Sequence, residues 1–264
     1  MLLTDTVWLA ASAYTQGVRV IPTITVDQMR EVDRVMTEEL HIDLIQMMEN
    51  AGRALAEQAR RRLGGDARGA QVVVLAGRGG NGGGGLVAAR RLASWGAEVT
   101  VFLGASRQEL QGVPLHQLEI VQRMGIPVQG AWLRAAGEVA LLSADLVLDA
   151  LIGYSLRGSP REPIAALIRA ANASATPVLA LDIPSGLNGD SGEACDPTIR
   201  AVATLTLALP KVGLTRPAAR EWVGELYLAD ISVPETVYRR LGLEVGPIFS
   251  RSDIVRVPLN TDAG

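Results

Sequence analysis

The chain is poor in the residues from which most metal and redox sites are built. A single cysteine, Cys195, in 264 residues excludes an internal disulfide framework and a multi-cysteine zinc site within the chain. Two histidines, His41 and His116, exclude a histidine-rich metal centre, and both read as packing or surface residues. Aromatic residues make up only 4%, and Trp8, Trp95, Trp132 and Trp222 are scattered, which suits packing and not a base-stacking platform. Lysine is nearly absent: of 25 basic residues, Lys211 is the only one that is not arginine. With a net charge of -3 and no basic run, a nucleic-acid partner is not expected. No apolar run approaches the ~18 residues of a spanning helix, so no membrane partner is expected either. The apolar patch near the start follows Asp5 and no basic residue, which makes a poor secretory signal. A cytoplasmic location follows as the expectation.

What is present is a large apolar fraction, 48%, enough for one sizeable core. We read residues 1–22 as a flexible arm, 23–240 as the domain, and 241–264 as a tail without clear periodicity. Gln71–Ala76 (QVVVLA), Glu98–Leu103 (EVTVFL) and Ala203–Leu207 (ATLTL) are short apolar, β-branched runs. Residues 126–128, 145–149 and 177–181 look alike. Such strands are buried on both faces, the pattern of a parallel sheet. Helical spacing marks a segment opening near Thr25 or Asp27, then 43–63, 86–95 and 163–171. Alternating strands and helices predict an α/β fold, a Rossmann-like three-layer αβα sandwich with a doubly wound, mostly parallel sheet. In such sheets ligands lie beyond the carboxyl ends of the strands, where the strand order reverses. The loops after Ala76, Asp149 and Leu181 are therefore the ones to inspect.

The first of these reads Gly-Arg-Gly-Gly-Asn-Gly-Gly-Gly-Gly-Leu at 77–86. So many glycines between a strand and a helix imply close backbone approach, to a ligand or to a neighbouring element. A helix N-terminus there would attract phosphate. Gly77, Gly79 and Gly82 satisfy G-x-G-x-x-G, but no acidic residue closes the second strand to hold a ribose, so an ordinary NAD dehydrogenase is poorly supported. No Gly-Lys-Ser/Thr follows, which excludes a P-loop. Arg78 reads as a phosphate-facing cation or a solvated side chain. Asp149 and Asp182 also carry structural readings, the first as a helix cap and the second as a turn former before Ile-Pro. Lys211 reads either as a surface lysine or as a group near the pocket.

Six motifs in order resemble the NAD(P)HX epimerases, the YjeF N-terminal family. They are the glycine stretch, Met-Glu-Asn-Ala-Gly-Arg at 48–53, Asp-Ala-Leu-Ile-Gly at 149–153, Asp-Ile-Pro-Ser-Gly at 182–186, Pro-Lys-Val-Gly-Leu at 210–214, and Gly-Glu-Leu-Tyr-Leu-Ala-Asp-Ile-Ser-Val-Pro at 224–234. The resemblance runs from about Thr23 to Pro234. It implies an isomerase that interconverts the R and S forms of hydrated NADH or NADPH, as metabolite repair, with no redox cofactor. It implies a potassium ion held by Asn81, Asp149 and Ser185, and a homodimer. It also implies that Gly80, Asn81, Gly82, Gly83 and Gly84 bind substrate together with Gly153, Tyr154, Ser155, Leu156, Arg157, Gly158 and Ser159. Asp182 is the implied ligand-contacting and catalytic carboxylate. Hard oxygen donors such as Asn, Asp and Ser agree with a hard cation. Where the family reads N-N-G-G-D, this chain has Gly80-Asn81-Gly82-Gly83-Gly84. The alternative reading is a member that binds nucleotide as a dimeric scaffold, or acts on another small substrate. The dehydratase unit that often follows in bacterial relatives is not expected in this chain.

Overall fold

A computed structural model describes residues 21–130 and 143–259. The expected arm up to residue 20, and with it Trp8, lies outside the described residues, as does Trp132. The first helix, α1 (Val26–Arg34), starts at Thr25, whose side chain accepts from the backbone N–H of Gln28 while the Gln28 side chain returns the bond. It runs on into a π-helical turn, Val35–Glu39. Asp43 and Gln46 cap α2 (Leu44–Arg62) in the same reciprocal way. There follow β1 (Gln71–Ala76), α3 (Gly80–Ser94), β2 (Glu98–Leu103), α4 (Gly112–Arg123), β3 (Val128–Gln129), β4 (Leu146–Ala150), α5 (Ile164–Ala173), β5 (Val178–Leu181) and β6 (Ala203–Leu207). The chain closes with α6 (Arg220–Val223), β7 (Glu225–Ala229), α7 (Glu235–Arg240) and β8 (Ile254–Arg256).

The strands form one sheet in the order β3-β2-β1-β4-β5-β6-β7-β8. Every pairing is parallel except β7 with β8, which is antiparallel. The fold is a Rossmann-like αβα sandwich. Alternate residues of β1 explain the layering. Val72, Val74 and Ala76 face a core shared with α2, α3 and α4. Val73 and Leu75 face the opposite layer, where Leu167 and Ile168 of α5 pack. Burying each such side chain contributes about 1.5–3 kcal/mol. A third cluster joins α1, the start of α2, β7, α7 and the residue after β8 through Met29, Val32, Met47, Leu228, Val237 and Val257. Among the described residues no helix is long and apolar enough to cross a membrane.

The glycine stretch is not a loop. Residues 80–85 form the first turns of α3, although glycine disfavours helix by about 1 kcal/mol per residue. The reason is packing. A Cβ on Gly83 would sit 2.5 Å from Met48 Sδ, and one on Gly85 would sit 2.5 Å from Ala150 Cβ. From the other side, a Cβ on Gly52 of α2 would lie 2.4 Å from Val87 Cβ and 2.5 Å from the Gly84 carbonyl oxygen. The two helix backbones therefore touch, and neither tolerates a side chain at the crossing. Gly52→Ala is expected to lower stability by about 1–3 kcal/mol through overpacking, despite alanine's better helix propensity. A urea titration reading a lower midpoint at unchanged slope checks this; an unchanged or raised midpoint would remove the crossing argument.

Candidate functional site

The strand order reverses between β1 and β4, whose last residues Ala76 and Ala150 are register partners. The loops leaving the carboxyl ends of β1, β4, β5 and β6, together with one side of α1 and α2, enclose a cavity of about 960 Å³. That is at the upper end of small-ligand sites. Its walls include Met29, Met47, Met48, Ala51 and Ile164, and its rim carries Arg30, Arg34, Arg78, Arg157 and Arg161. An apolar interior under a guanidinium rim suits a ligand with both flat rings and phosphates.

Asp182 stands at its floor. It follows β5 directly and adopts φ 65°, the left-handed region in which Asp is among the few tolerated residues. That sharp turn throws the side chain into the cavity. The carboxylate is buried, with Oδ1 accepting from Lys211 Nζ at 2.5 Å and Oδ2 from the backbone N–H of Tyr154 at 3.2 Å. Lys211 is 0% exposed and also donates to the Leu207 carbonyl at 2.9 Å. Its backbone is held from outside by Ile24: the Ile24 N–H donates to the Pro210 carbonyl at 2.9 Å, and the Val212 N–H donates to the Ile24 carbonyl at 3.0 Å. Lys211 thus belongs to the cavity floor and not to the surface.

Asp149, at the end of β4, is fully buried below the cavity. Its partners are the Ser185 Oγ at 2.7 Å, the Ser185 N–H at 2.8 Å and the Leu151 N–H at 3.2 Å, all of them neutral. Burial pushes its carboxyl up to about 6, against these three bonds. Its role is not that of a helix cap. Asn81 lies above, donating from Nδ2 to the Leu181 carbonyl at 3.2 Å; its Oδ1 would be 3.4 Å from a Cβ on Gly153. The three residues of the expected cation site thus all abut the same two loops, 151–153 and 181–185. A buried carboxylate whose partners among the described residues are all neutral, one of them the Ser185 hydroxyl, fits a monovalent cation.

Of the other expected substrate-binding residues, Gly80, Gly153, Tyr154, Ser155, Leu156, Arg157 and Ser159 line the cavity with Asn81 and Asp182. Gly82, Gly83 and Gly84 do not line it. They are buried in α3 and face Gly77, Met48 and Leu181 respectively. Gly158 does not line it either; its φ of 68° marks it as a turn residue. Sequence reasoning missed Asp33 of α1, which lines the cavity and accepts a short hydrogen bond from the Tyr154 hydroxyl. It also missed Thr206, a buried hydroxyl 3.5 Å from Asp182 Oδ1. Neither sits in a motif, and Asp33 in a helix rich in charges looks like any solvated carboxylate.

A doubly wound sheet with a cavity over an acidic floor at its switch point defines a Rossmann-like αβα protein with a ligand-sized site at the carboxyl ends of its strands. Residues 44–213 match the family model described as YjeF-related protein N-terminus, and the chain belongs to that family. It is 46% identical over 229 residues to the NAD(P)H-hydrate epimerase of Dehalogenimonas lykanthroporepellens, covering 87% of this chain and 89% of that one. The NAD(P)H-hydrate epimerase of Rhodopirellula baltica is 37% identical over 84% of this chain and 89% of its own. The chain also matches 41% of the bifunctional NAD(P)H-hydrate repair enzyme Nnr of Moorella thermoacetica, at 39% identity over 80% of its own length. The crystal structure of the yeast protein YNL200c superposes with a TM-score of 0.77 at 25% identity, covering 89% of this chain and all of the yeast chain.

Proposed function

We propose that this chain is an NAD(P)H-hydrate epimerase, an isomerase that equilibrates the R and S hydrates of NADH or NADPH. The observation that carries the reading is Asp182, buried at the floor of a large cavity at the sheet's switch point. Hydration of a dihydronicotinamide leaves a hydroxyl on the carbon beside the ring nitrogen. Such a carbon inverts when the C–O bond breaks with help from the nitrogen lone pair and water returns to the other face. No electrons are exchanged with a redox cofactor; what the site must supply is a proton to the leaving oxygen and a base for the incoming water. Asp182 is the proton-transfer group. Lys211 holds its carboxylate in place, and Met29, Met47 and Met48 give a wall that adapts to either stereoisomer. The diphosphate lies toward the start of α3 and the rim arginines.

Asn81, Asp149 and Ser185 would hold potassium. When bound, the ion supplies a fixed positive charge that orders the two loops beside it. Potassium is expected to stabilise the protein by about 2.7 kcal/mol at a hundredfold excess over its Kd, and Asp149→Asn to abolish that gain. Thermal melts in potassium and in tetramethylammonium chloride at equal ionic strength check this; equal midpoints would remove the cation. The chain further forms a homodimer through residues 25–63, a stretch in which Leu40 and Leu44 are exposed, and resides in the cytoplasm.

The test of the activity is direct. Purified protein is mixed with each epimer and their ratio followed by chromatography; catalysed convergence from both sides is expected. A second reading is favoured by Gly80 and Gly84, which stand where the family pattern has Asn and Asp. It is a pocket that binds the nucleotide without turning it over, or takes another small substrate. Binding with no convergence would select it.

A further inference from the structure

We propose that Asp33 is a second catalytic residue, serving the face of the nicotinamide hydrate opposite to Asp182. This rests on the epimerase reading above. A carbon that loses hydroxide from one face and regains it on the other needs proton transfer on both faces, and one carboxylate reaches only one of them.

The cavity holds a second carboxylate. Asp33 comes from α1, across from the β5 end that carries Asp182, and its side chain lines the same space. Tyr154 sits between the two. Its backbone N–H donates to Asp182 Oδ2, and its hydroxyl donates to Asp33 Oδ2. One tyrosine thus bridges the two carboxylates, and all three residues line the same cavity. α1 gives way to a π-helical turn just after Asp33, a local irregularity common at functional sites.

Their surroundings differ as an acid and a base require. Asp182 bonds directly to the Lys211 ammonium. Among the described residues Asp33 has only the neutral Tyr154 hydroxyl as its side-chain partner, and burial raises its carboxyl from the usual value, with the Tyr154 bond and the Lys211 charge opposing. The other charged groups around it are Asp182 from β5 and Arg30 and Arg34 of its own helix, which line the cavity, Arg34 being bound to Glu31, Glu38 and Glu39. One carboxylate paired with an ammonium and a second held by a neutral hydroxyl form the unequal pair that a base and an acid require. In one direction protonated Asp33 gives its proton to the departing hydroxyl, the C–O bond breaks, and water leaves a C=N iminium. Water then adds to the opposite face and loses its proton to the Asp182 carboxylate. The reverse epimerisation exchanges the roles, and exchange with solvent restores the starting protonation, with no change in oxidation state.

Asp33→Asn, Asp33→Glu, Tyr154→Phe and Asp182→Asn are compared by kcat, KM and pH profile. Asp33→Asn should lower kcat ~10²-fold or more with KM little changed, and lose the alkaline limb of the kcat profile. Asp33→Glu should retain that limb at a reduced rate, and Tyr154→Phe should stay within tenfold. If Asp33→Asn and Tyr154→Phe fall alike with unchanged profiles, Asp33 merely holds the tyrosine and the proposal is overturned. Wild-type rates in Asp33→Asn beside an inert Asp182→Asn would overturn it too while leaving the epimerase reading intact. Failure of the wild-type protein to equilibrate the epimers would overturn both.

Discussion

Asp182→Asn is expected to lower kcat by about 10²–10⁴-fold, the usual contribution of a positioned proton-transfer group. The substitution keeps size and shape, and an amide oxygen can still accept the Tyr154 N–H that now reaches Oδ2 at 3.2 Å. What it removes is the ability to carry a proton. KM should change little, because an interaction used mainly in the transition state is lost from kcat and kcat/KM together. The measurement is single-turnover epimerisation of each hydrate, well below the variant's melting temperature. That precaution matters because Asn leaves the buried Lys211 without its counter-charge. An activity within a few-fold of wild type would take Asp182 out of the chemistry and reduce it to a partner of Lys211.

The second large effect is on stability. Lys211→Met replaces a fully buried ammonium by an apolar side chain of similar length and strands the Asp182 carboxylate, itself only 3% exposed. Breaking a buried ion pair from one side destabilises by about 3–5 kcal/mol, because the remaining charge has neither water nor partner. In a domain of this size that lowers the melting temperature on the order of 10 °C. The pairing predicts more than the single loss. The double change Asp182→Asn with Lys211→Met removes both charges and should be less destabilising than the sum of the two singles by about 1–3 kcal/mol. Additive losses in denaturant titrations would show that the two side chains act separately, against the 2.5 Å contact.

Much of this site could be read from residue order because its parts lie at strand ends. The runs Gln71–Ala76, Glu98–Leu103 and Ala203–Leu207 have the bounds their apolar β-branched composition suggests, since strands covered on both faces admit little else. β8 escaped notice because three residues carry no periodicity; it is fixed only by antiparallel pairing with β7. The glycines misled in a specific way. Local propensity says loop, but tertiary contact with Met48, Gly52 and Ala150 makes helix the only backbone that fits. Asp149, Asp182 and Ser185 were legible because they belong to motifs. Asp33 was not, because its partner Tyr154 lies 121 residues away and nothing local distinguishes it from the carboxylates beside it.

The burial of the one lysine has a practical consequence. A lysine-specific endoprotease finds a single internal bond to cut, between Lys211 and Val212, and that bond sits in backbone clamped by Ile24 under a side chain with no solvent exposure. Cleavage therefore requires the floor of the cavity to open. Its rate becomes a clock for that one opening event, readable as two fragments on a gel and slowed by any ligand that closes over the floor.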